Sequence, residues 1–368
     1  MGGPDWRKGS SDTVQVASVM SMLDSEERRD VVLAVDVNNC PLCEQTGRRL
    51  YSELRDRLFD APGIWSIMWC AGCKHAWLNP RPLREGILRL YRTYYTKGST
   101  TPSIKLQTPI LEFLRRSLLY SMGYKDTSGT NLGKLVSRVL WGIPLARDTI
   151  RSHYMYLEGP ASGKLLDAGC GNGSQLMLMS DLGWDVVGLE PDPVAAELAG
   201  RRSGSPIFNE FLEAKVFDDE TFRVILMDHV IEHTLDPMRA LTNCRSYLST
   251  GGRLVIRTPN LLSRGHSFFG SNWVHLDPPR HVNIFSVASL QACVQRAGLE
   301  VLVATTSARA APQTYDVSCR IRKLSKDPLR ETGSVHTLKG YMFRHSESAS
   351  LRSNPEVGEE IVLIAKRG

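Results

Sequence analysis

The sequence predicts an α/β fold: a mostly parallel sheet covered by helices, preceded by a small metal-clamped ribbon and a helical segment. Three observations carry this. From Lys164 onward, apolar runs of strand length alternate with runs of helix length, the pattern of a sheet with crossover helices. The first of these strands ends in a loop nearly bare of side chains, Asp167-Ala168-Gly169-Cys170-Gly171-Asn172-Gly173, where main chain can approach a ligand closely. Nearer the N-terminus, Cys40, Cys43, Cys70 and Cys73 form two Cys-x2-Cys knuckles separated by 26 residues.

Taken in order, residues 1–36 have mixed charge and weak periodicity and are expected to form a poorly ordered tail. Residues 37–82 form the ribbon. Paired knuckles carry the ligand spacing of a structural zinc site, because Zn2+ takes sulfur ligands in a tetrahedron. Pro41 and Gly72 supply turns within the knuckles, and Ile64 to Trp69 reads as a short strand between them. Free thiols or two disulfides are the alternatives, and a reducing compartment disfavours the disulfides. Four cysteines close the coordination shell, so the metal is expected to be structural and His75 a bystander. Pro80 and Pro82 impose an extended exit from the ribbon.

Residues 83–160 are expected to be a helical linker or lid. Leu83 to Tyr95 carries apolar residues at helical spacing, 96–103 is a Gly/Ser/Thr-rich break, and 104–122 and 132–158 read as helices. The stretch Ile110 to Tyr120 adds Arg115 and Arg116 to an apolar stripe. Such a helix either lies on a membrane surface or, more commonly, packs on its own domain. In residues 161–368, strands are predicted at 164–167, 185–190, 207–208, 223–227, 253–258, 299–307 and 360–366. Helices are predicted at 175–182, 193–201, 237–247 and 286–297, the last ended by Gly298. The polar segment 308–358 is expected to be an insertion before the final strand.

The glycine loop admits three readings. A phosphate-cradling loop ends in Gly-Lys-Ser/Thr, which is absent. A dinucleotide fingerprint needs a third glycine where Ser174 stands. The spacing Asp167-x-Gly169-x-Gly171-x-Gly173, followed by Glu190 at the end of the next strand, resembles motif I of the class I S-adenosylmethionine (SAM) methyltransferases. That resemblance implies a seven-stranded Rossmann-like sheet with six parallel strands and one reversed at the edge. It also implies roles for this sequence: Asp167, Gly169, Gly171 and Gly173 shape the methionyl end of the cofactor site, and Glu190 binds the ribose hydroxyls.

Ligands of a doubly wound sheet bind at the carboxyl ends of its strands. After the fourth strand comes Met227-Asp228-His229-Val230-Ile231-Glu232-His233, which places four polar side chains beside the cofactor. Clustering them is costly unless they hydrogen-bond or serve chemistry. The segment resembles the Glu-His motif of the ubiquinone-pathway O-methyltransferases and of the wider group that includes glycan-modifying enzymes. The resemblance implies a cofactor contact for Asp228 and catalytic roles for His229, Glu232 and His233; the alternative is that Glu232 and His233 cap the next helix and brace the loop. Some relatives bind a catalytic divalent metal here, but His229 stands where they carry an acid, which argues against one. The Asn/Asp-Pro-Pro-aromatic motif of enzymes that methylate base amino groups is missing.

Residues 272–285 hold Trp273, His275, Asp277, Arg280 and His281, stiffened by Pro278 and Pro279. Their Pro-Arg-His-x-x-x-Phe-Ser pattern resembles the same group, where it lies over the acceptor pocket. A histidine titrates near neutrality, which makes His281 the candidate general base for a hydroxyl acceptor, with His275 second. Trp273 either stacks on the acceptor or closes the pocket.

Composition is ordinary for a globular chain, with 42% hydrophobic and 23% charged residues. Neither a secretion signal nor a run of about 18 apolar residues is evident, so a cytoplasmic protein without transmembrane segments is expected. The net charge of +6 permits an anionic partner without requiring one. The favoured expectation is a SAM-dependent O-methyltransferase acting on a small-molecule or glycan acceptor. The alternatives are a ribosomal RNA methyltransferase gripping nucleic acid with the ribbon, disfavoured by the lack of a basic-aromatic strip, and a non-catalytic SAM-fold binding module.

Overall fold

A computed structural model describes residues 32–90, 109–124, 130–159, 162–323 and 337–368. Most of the expected tail, the Gly/Ser/Thr-rich break and part of the insertion lie outside the described residues. The end of the expected tail is ordered: β1 (Ala34–Val35) pairs antiparallel with β5 (Arg81–Pro82). Between them, β2 (Arg48–Leu54), β3 (Trp65–Cys70) and β4 (His75–Asn79) form an antiparallel meander. Cys70 ends β3 and Cys73 lies in the turn before β4, so the second knuckle is a hairpin corner.

The central sheet contains β6 (Lys164–Ala168), β7 (Asp185–Leu189), β8 (Ile207–Phe208), β9 (Phe222–Asp228) and β10 (Leu248–Pro259). A two-residue strand, β11 (Asn283–Ile284), leaves this unit and pairs with β4 of the ribbon. β12 (Glu300–Ser307) and β13 (Glu360–Lys366) complete the seven, in the order β12-β13-β10-β9-β6-β7-β8. The five strands from β10 to β8 are parallel, and β13 runs antiparallel to both neighbours. The reversed strand is therefore not at the edge, as expected, but inside. Ile361, Val362, Leu363 and Ala365 of β13 are all buried, and a strand apolar on both faces belongs within a sheet. β12, which leaves Leu302 and Val303 exposed, takes the edge.

Helix starts follow local chemistry. Asp192 and Asp236 cap helices Pro193–Ser203 and Pro237–Tyr247, each with proline in the first turn, and Ser286 closes a capping box on Val287–Arg296. The expected helix over 132–158 is instead two, Asn131–Trp141 and Pro144–His153. Pro144 disfavours the helical conformation at Ile143, which is extended. Helix Pro109–Ser121 buries Leu119 in the core with Met122, Tyr124 and Trp184, and its Arg115 and Arg116 bond Glu112. Helices Ala311–Arg322 and Leu338–Ser350 lie in the segment 308–358 and pack on each other through Ala311 and Phe343. No helix among the described residues is long and apolar enough to cross a membrane. The ribbon shares the main core: Cys40, Leu42, Met68, Cys70 and Trp77 pack in one cluster with Leu166, Ile225, Ile256 and Phe285.

Candidate functional site

The parallel strands end at a cavity of about 680 Å³, within the usual range of ligand sites. Gly169, Gly171, Leu189 and Glu190 line one part of it. His229, His233, His275 and His281 line another, and Arg309, Thr314 and Arg344 reach it from the segment 308–358.

In the loop after β6, Gly169 and Gly171 adopt φ of +80° and +53°, conformations that favour glycine. A Cβ on Gly169 would meet Val230 at 2.5 Å, whereas one on Gly171 would meet nothing within 4 Å. Gly169 thus allows close packing and Gly171 leaves an open cradle. Gly173 does not line the cavity; it caps helix Ser174–Asp181 and packs on Ala199. Glu190 accepts the N–H of Gly171 at 2.9 Å and of Asp192 at 3.0 Å, and burial raises its pKa. Asp167 lies behind the loop, buried, with one carboxylate oxygen lacking any partner. Burial, reinforced by Asp228 and Glu190, pushes its pKa up to about 8. An open main-chain cradle, an unpartnered buried carboxyl and a carboxylate at the second strand end fit a nucleoside cofactor with an amino-acid arm.

On the other side, His229 follows β9 with φ +54°. Its Nδ1 meets Glu232 Oε1 at 3.2 Å and its Nε2 meets Glu360 Oε1 at 2.9 Å. Burial alone would lower its pKa, but the two carboxylates outweigh it and hold the imidazolium up to about 10. A doubly clamped cation cannot take a proton, so the geometry makes His229 a brace rather than a base. The other oxygen of Glu232 accepts from Thr258 Oγ1 at 2.8 Å. Asp228 does not line the cavity: Arg257 grips both its oxygens and also donates to Ser152.

His281 donates from Nδ1 to the His275 carbonyl at 2.7 Å. That fixes the tautomer and leaves Nε2 as the basic nitrogen. His233 packs edge-on against it, with ring centroids 4.7 Å apart, and donates to the Arg280 carbonyl at 3.0 Å. Burial, with His281 adding to it, lowers the His233 pKa to about 4, so its ring is neutral. Glu232, His233 and His281 present ligand atoms within 4.8 Å of one another, but both Glu232 oxygens are already engaged, which fits a hydrogen-bonded brace. Trp273 is fully buried and donates to Glu359 at 3.0 Å, so it closes a wall and does not meet an acceptor. His275 bonds Thr314 at 3.0 Å.

The four knuckle sulfurs also lie within 4.8 Å of one another, with Cys40–Cys73 and Cys43–Cys70 each at 3.5 Å. Zn–S bonds of about 2.3 Å in a tetrahedron place sulfurs roughly 3.8 Å apart, whereas a disulfide needs about 2 Å. The set therefore fits a four-thiolate ion. His75 is buried against Phe285, outside the sulfur set.

Sequence reasoning missed Glu360, Arg257 and Phe59, which line the cavity, and Asp56, which accepts the Phe59 N–H at 2.9 Å. An acid opening the apolar run of β13 and a lone arginine within Leu254-Val255-Ile256-Arg257 were available signals. Nothing local marks residues 56–59.

Residues 146–304 match a family model described as "Methyltransferase domain". A ubiquinone biosynthesis O-methyltransferase of Cereibacter sphaeroides is 32% identical over 148 residues, covering 37% of this chain and 60% of that protein. The protein of the same name from Ruegeria sp. is 30% identical over 154 residues, covering 39% and 62%. The chain thus spans about 60% of the length of these curated relatives. A solved SAM-dependent methyltransferase from Archaeoglobus fulgidus aligns with a TM-score of 0.42 at 17% identity, covering 61% of this chain and 93% of that one. The sheet order and the glycine loop thus accompany, in residues 146–304, a match to the methyltransferase-domain family.

Proposed function

We propose that this chain transfers a methyl group from SAM to a hydroxyl of a small acceptor, a sugar or other ring-bearing molecule, with His281 as general base. One observation carries the reading: a single cavity holds both the Gly171–Glu190 cradle and the His281 imidazole. The named O-methyltransferases that match by sequence support the reaction class. The cofactor, when bound, supplies a methyl group already activated on a sulfonium. Gly169 and Gly171 offer main chain to its amino-acid end, and Glu190 offers carboxylate oxygens to its ribose. His281 Nε2 takes the hydroxyl proton as the acceptor oxygen attacks, while the His275 carbonyl holds the ring in place. His229, Glu232 and Glu360 keep the loop rigid, so that alignment supplies much of the acceleration.

The four cysteines, on this reading, hold one structural Zn2+. Their ribbon shares a core with the sheet, which favours a role within the enzyme over an independent grip on RNA.

Two measurements test the proposal. Calorimetry should show S-adenosylhomocysteine binding to the full chain. His281→Ala should lower methyl transfer about 10²–10⁴-fold while leaving that binding within a few-fold; equal losses in both would demote His281 to a structural part.

A further inference from the structure

The β2–β3 loop of the ribbon ends in the wall of the cavity. Its Leu58 and Phe59 line the same space as His233, Asp277 and His281. The cysteine that ends β3 lies at the far end of that strand from Trp65, roughly 17 Å away at about 3.4 Å per residue. The cysteine knuckles thus anchor one end of a hairpin whose other end lines the cavity.

The loop is fixed from two sides. Asp56 Oδ1 accepts the N–H groups of Leu58 and Phe59, and Oδ2 that of Ala61, all at 2.9 Å. Arg280 donates to Asp56 Oδ2 at 2.7 Å and, through Nη2 and Nε, to Asp277 at 2.6 and 3.1 Å. Its side chain has 0% exposure, and its guanidinium carbon lies 4.5 Å from the centroid of the Phe59 ring. The Arg280 carbonyl accepts from His233, and the next residue is His281. One residue therefore joins the ribbon loop to two of the cavity histidines, His233 and His281. Ribbon and sheet already share an apolar core, so adhesion alone does not call for a buried cation between two carboxylates. Such a cluster is a weak source of stability, and here its three hydrogen bonds from Arg280 tie Asp56 to Asp277.

We propose that Phe59 is an acceptor-recognition residue, against which the acceptor lays the apolar face of a hydroxylated ring, and that Asp56 and Arg280 are positioning residues that set Phe59 relative to His281. This rests on the methyltransferase reading and names the acceptor chemistry of the same site. Leu58, Val274 and Pro312 add apolar lining around Phe59, and a ring of either aryl or sugar type can present such a face.

The test uses the full chain saturated with S-adenosylhomocysteine, titrated with catechol and, separately, with methyl glucoside. At least one should bind, and which one does distinguishes an aryl from a sugar acceptor. Phe59→Ala should weaken that binding about 10-fold, Phe59→Tyr should restore it, and neither should alter S-adenosylhomocysteine affinity. Asp56→Asn should weaken the ring ligand similarly, and adding Phe59→Ala to it should cost little more, since both act through one contact. Binding of neither probe, or binding unchanged by Phe59→Ala, overturns the inference even if Asp56→Asn fails to fold. Failure of S-adenosylhomocysteine to bind would instead remove the reading beneath it.

Discussion

Glu360→Gln tests the electrostatic brace on the histidine side of the cavity. Glu360 is buried, and its Oε1 lies 2.9 Å from His229 Nε2 and 3.9 Å from Arg257 Nε. Removing one partner of a buried pair typically costs about 3–5 kcal/mol. The His229 side chain is 32% exposed, Glu232 still faces it, and Arg257 keeps Asp228, so about 2–3 kcal/mol is expected here. The pH dependence follows from the shifts. The folded His229 pKa is raised to about 10, so its contribution is full below the unfolded value near 6.5 and is lost as pH rises through 10. Burial would raise the pKa values of Glu232 and Glu360, but their bonds to His229 lower them instead, that of Glu232 to about 2. Their contributions are present above about 4.5 and fade as pH falls through the lowered values. Urea unfolding of wild type and variant at pH 6, 8 and 10 should show the largest gap at pH 6 and a narrowing one by pH 10. A gap below about 0.5 kcal/mol at pH 6, or one independent of pH, would refute the brace.

Zinc analysis of the full chain should find one equivalent, and a strong chelator should change the tryptophan fluorescence of the ribbon, which carries Trp65, Trp69 and Trp77; a metal-free ribbon with unchanged fluorescence would remove the zinc assignment. Glu347 and Glu359 are buried together, and burial pushes their pKa values up to about 10 and about 7. Raised acid pKa values mean that stability falls as pH rises from about 4.5 through those values, so Glu347→Gln should stabilise the protein at pH 8 and have little effect at pH 4.5; equal effects at both would contradict a proton held by the pair. Gly169→Ala should abolish S-adenosylhomocysteine binding, because its methyl would meet Val230 at 2.5 Å; retained binding in a folded variant would show that the loop tolerates displacement.

Much of the site was legible because it is local. The glycine loop, the acid ending β7 and the cysteine knuckles each place their chemistry within a few residues, so spacing was enough. The helix starts at Asp192, Asp236 and Ser286 were readable for the same reason. What spacing could not show was pairing across the chain. His229 reads as a catalytic residue until Glu360, 131 residues away, takes its second nitrogen. Asp228 reads as a cofactor contact until Arg257 takes both its oxygens. Trp273 reads as a stacking surface until Glu359 and full burial claim it. The segment 308–358 showed little pattern because its helices bury small and polar residues, such as Gly340, Ser318 and Glu347, as well as apolar ones. The position of β13 was missed because strand order is a long-range property, although its burial on both faces was written in its composition.

The central claim is that the cavity beside Gly171 and Glu190 holds SAM. Calorimetric titration of S-adenosylhomocysteine into wild type and Glu190→Ala measures it most directly. Saturable binding by wild type, weakened at least 10-fold in a folded variant, is the predicted result. No binding by wild type, or identical affinities for the two, would contradict it.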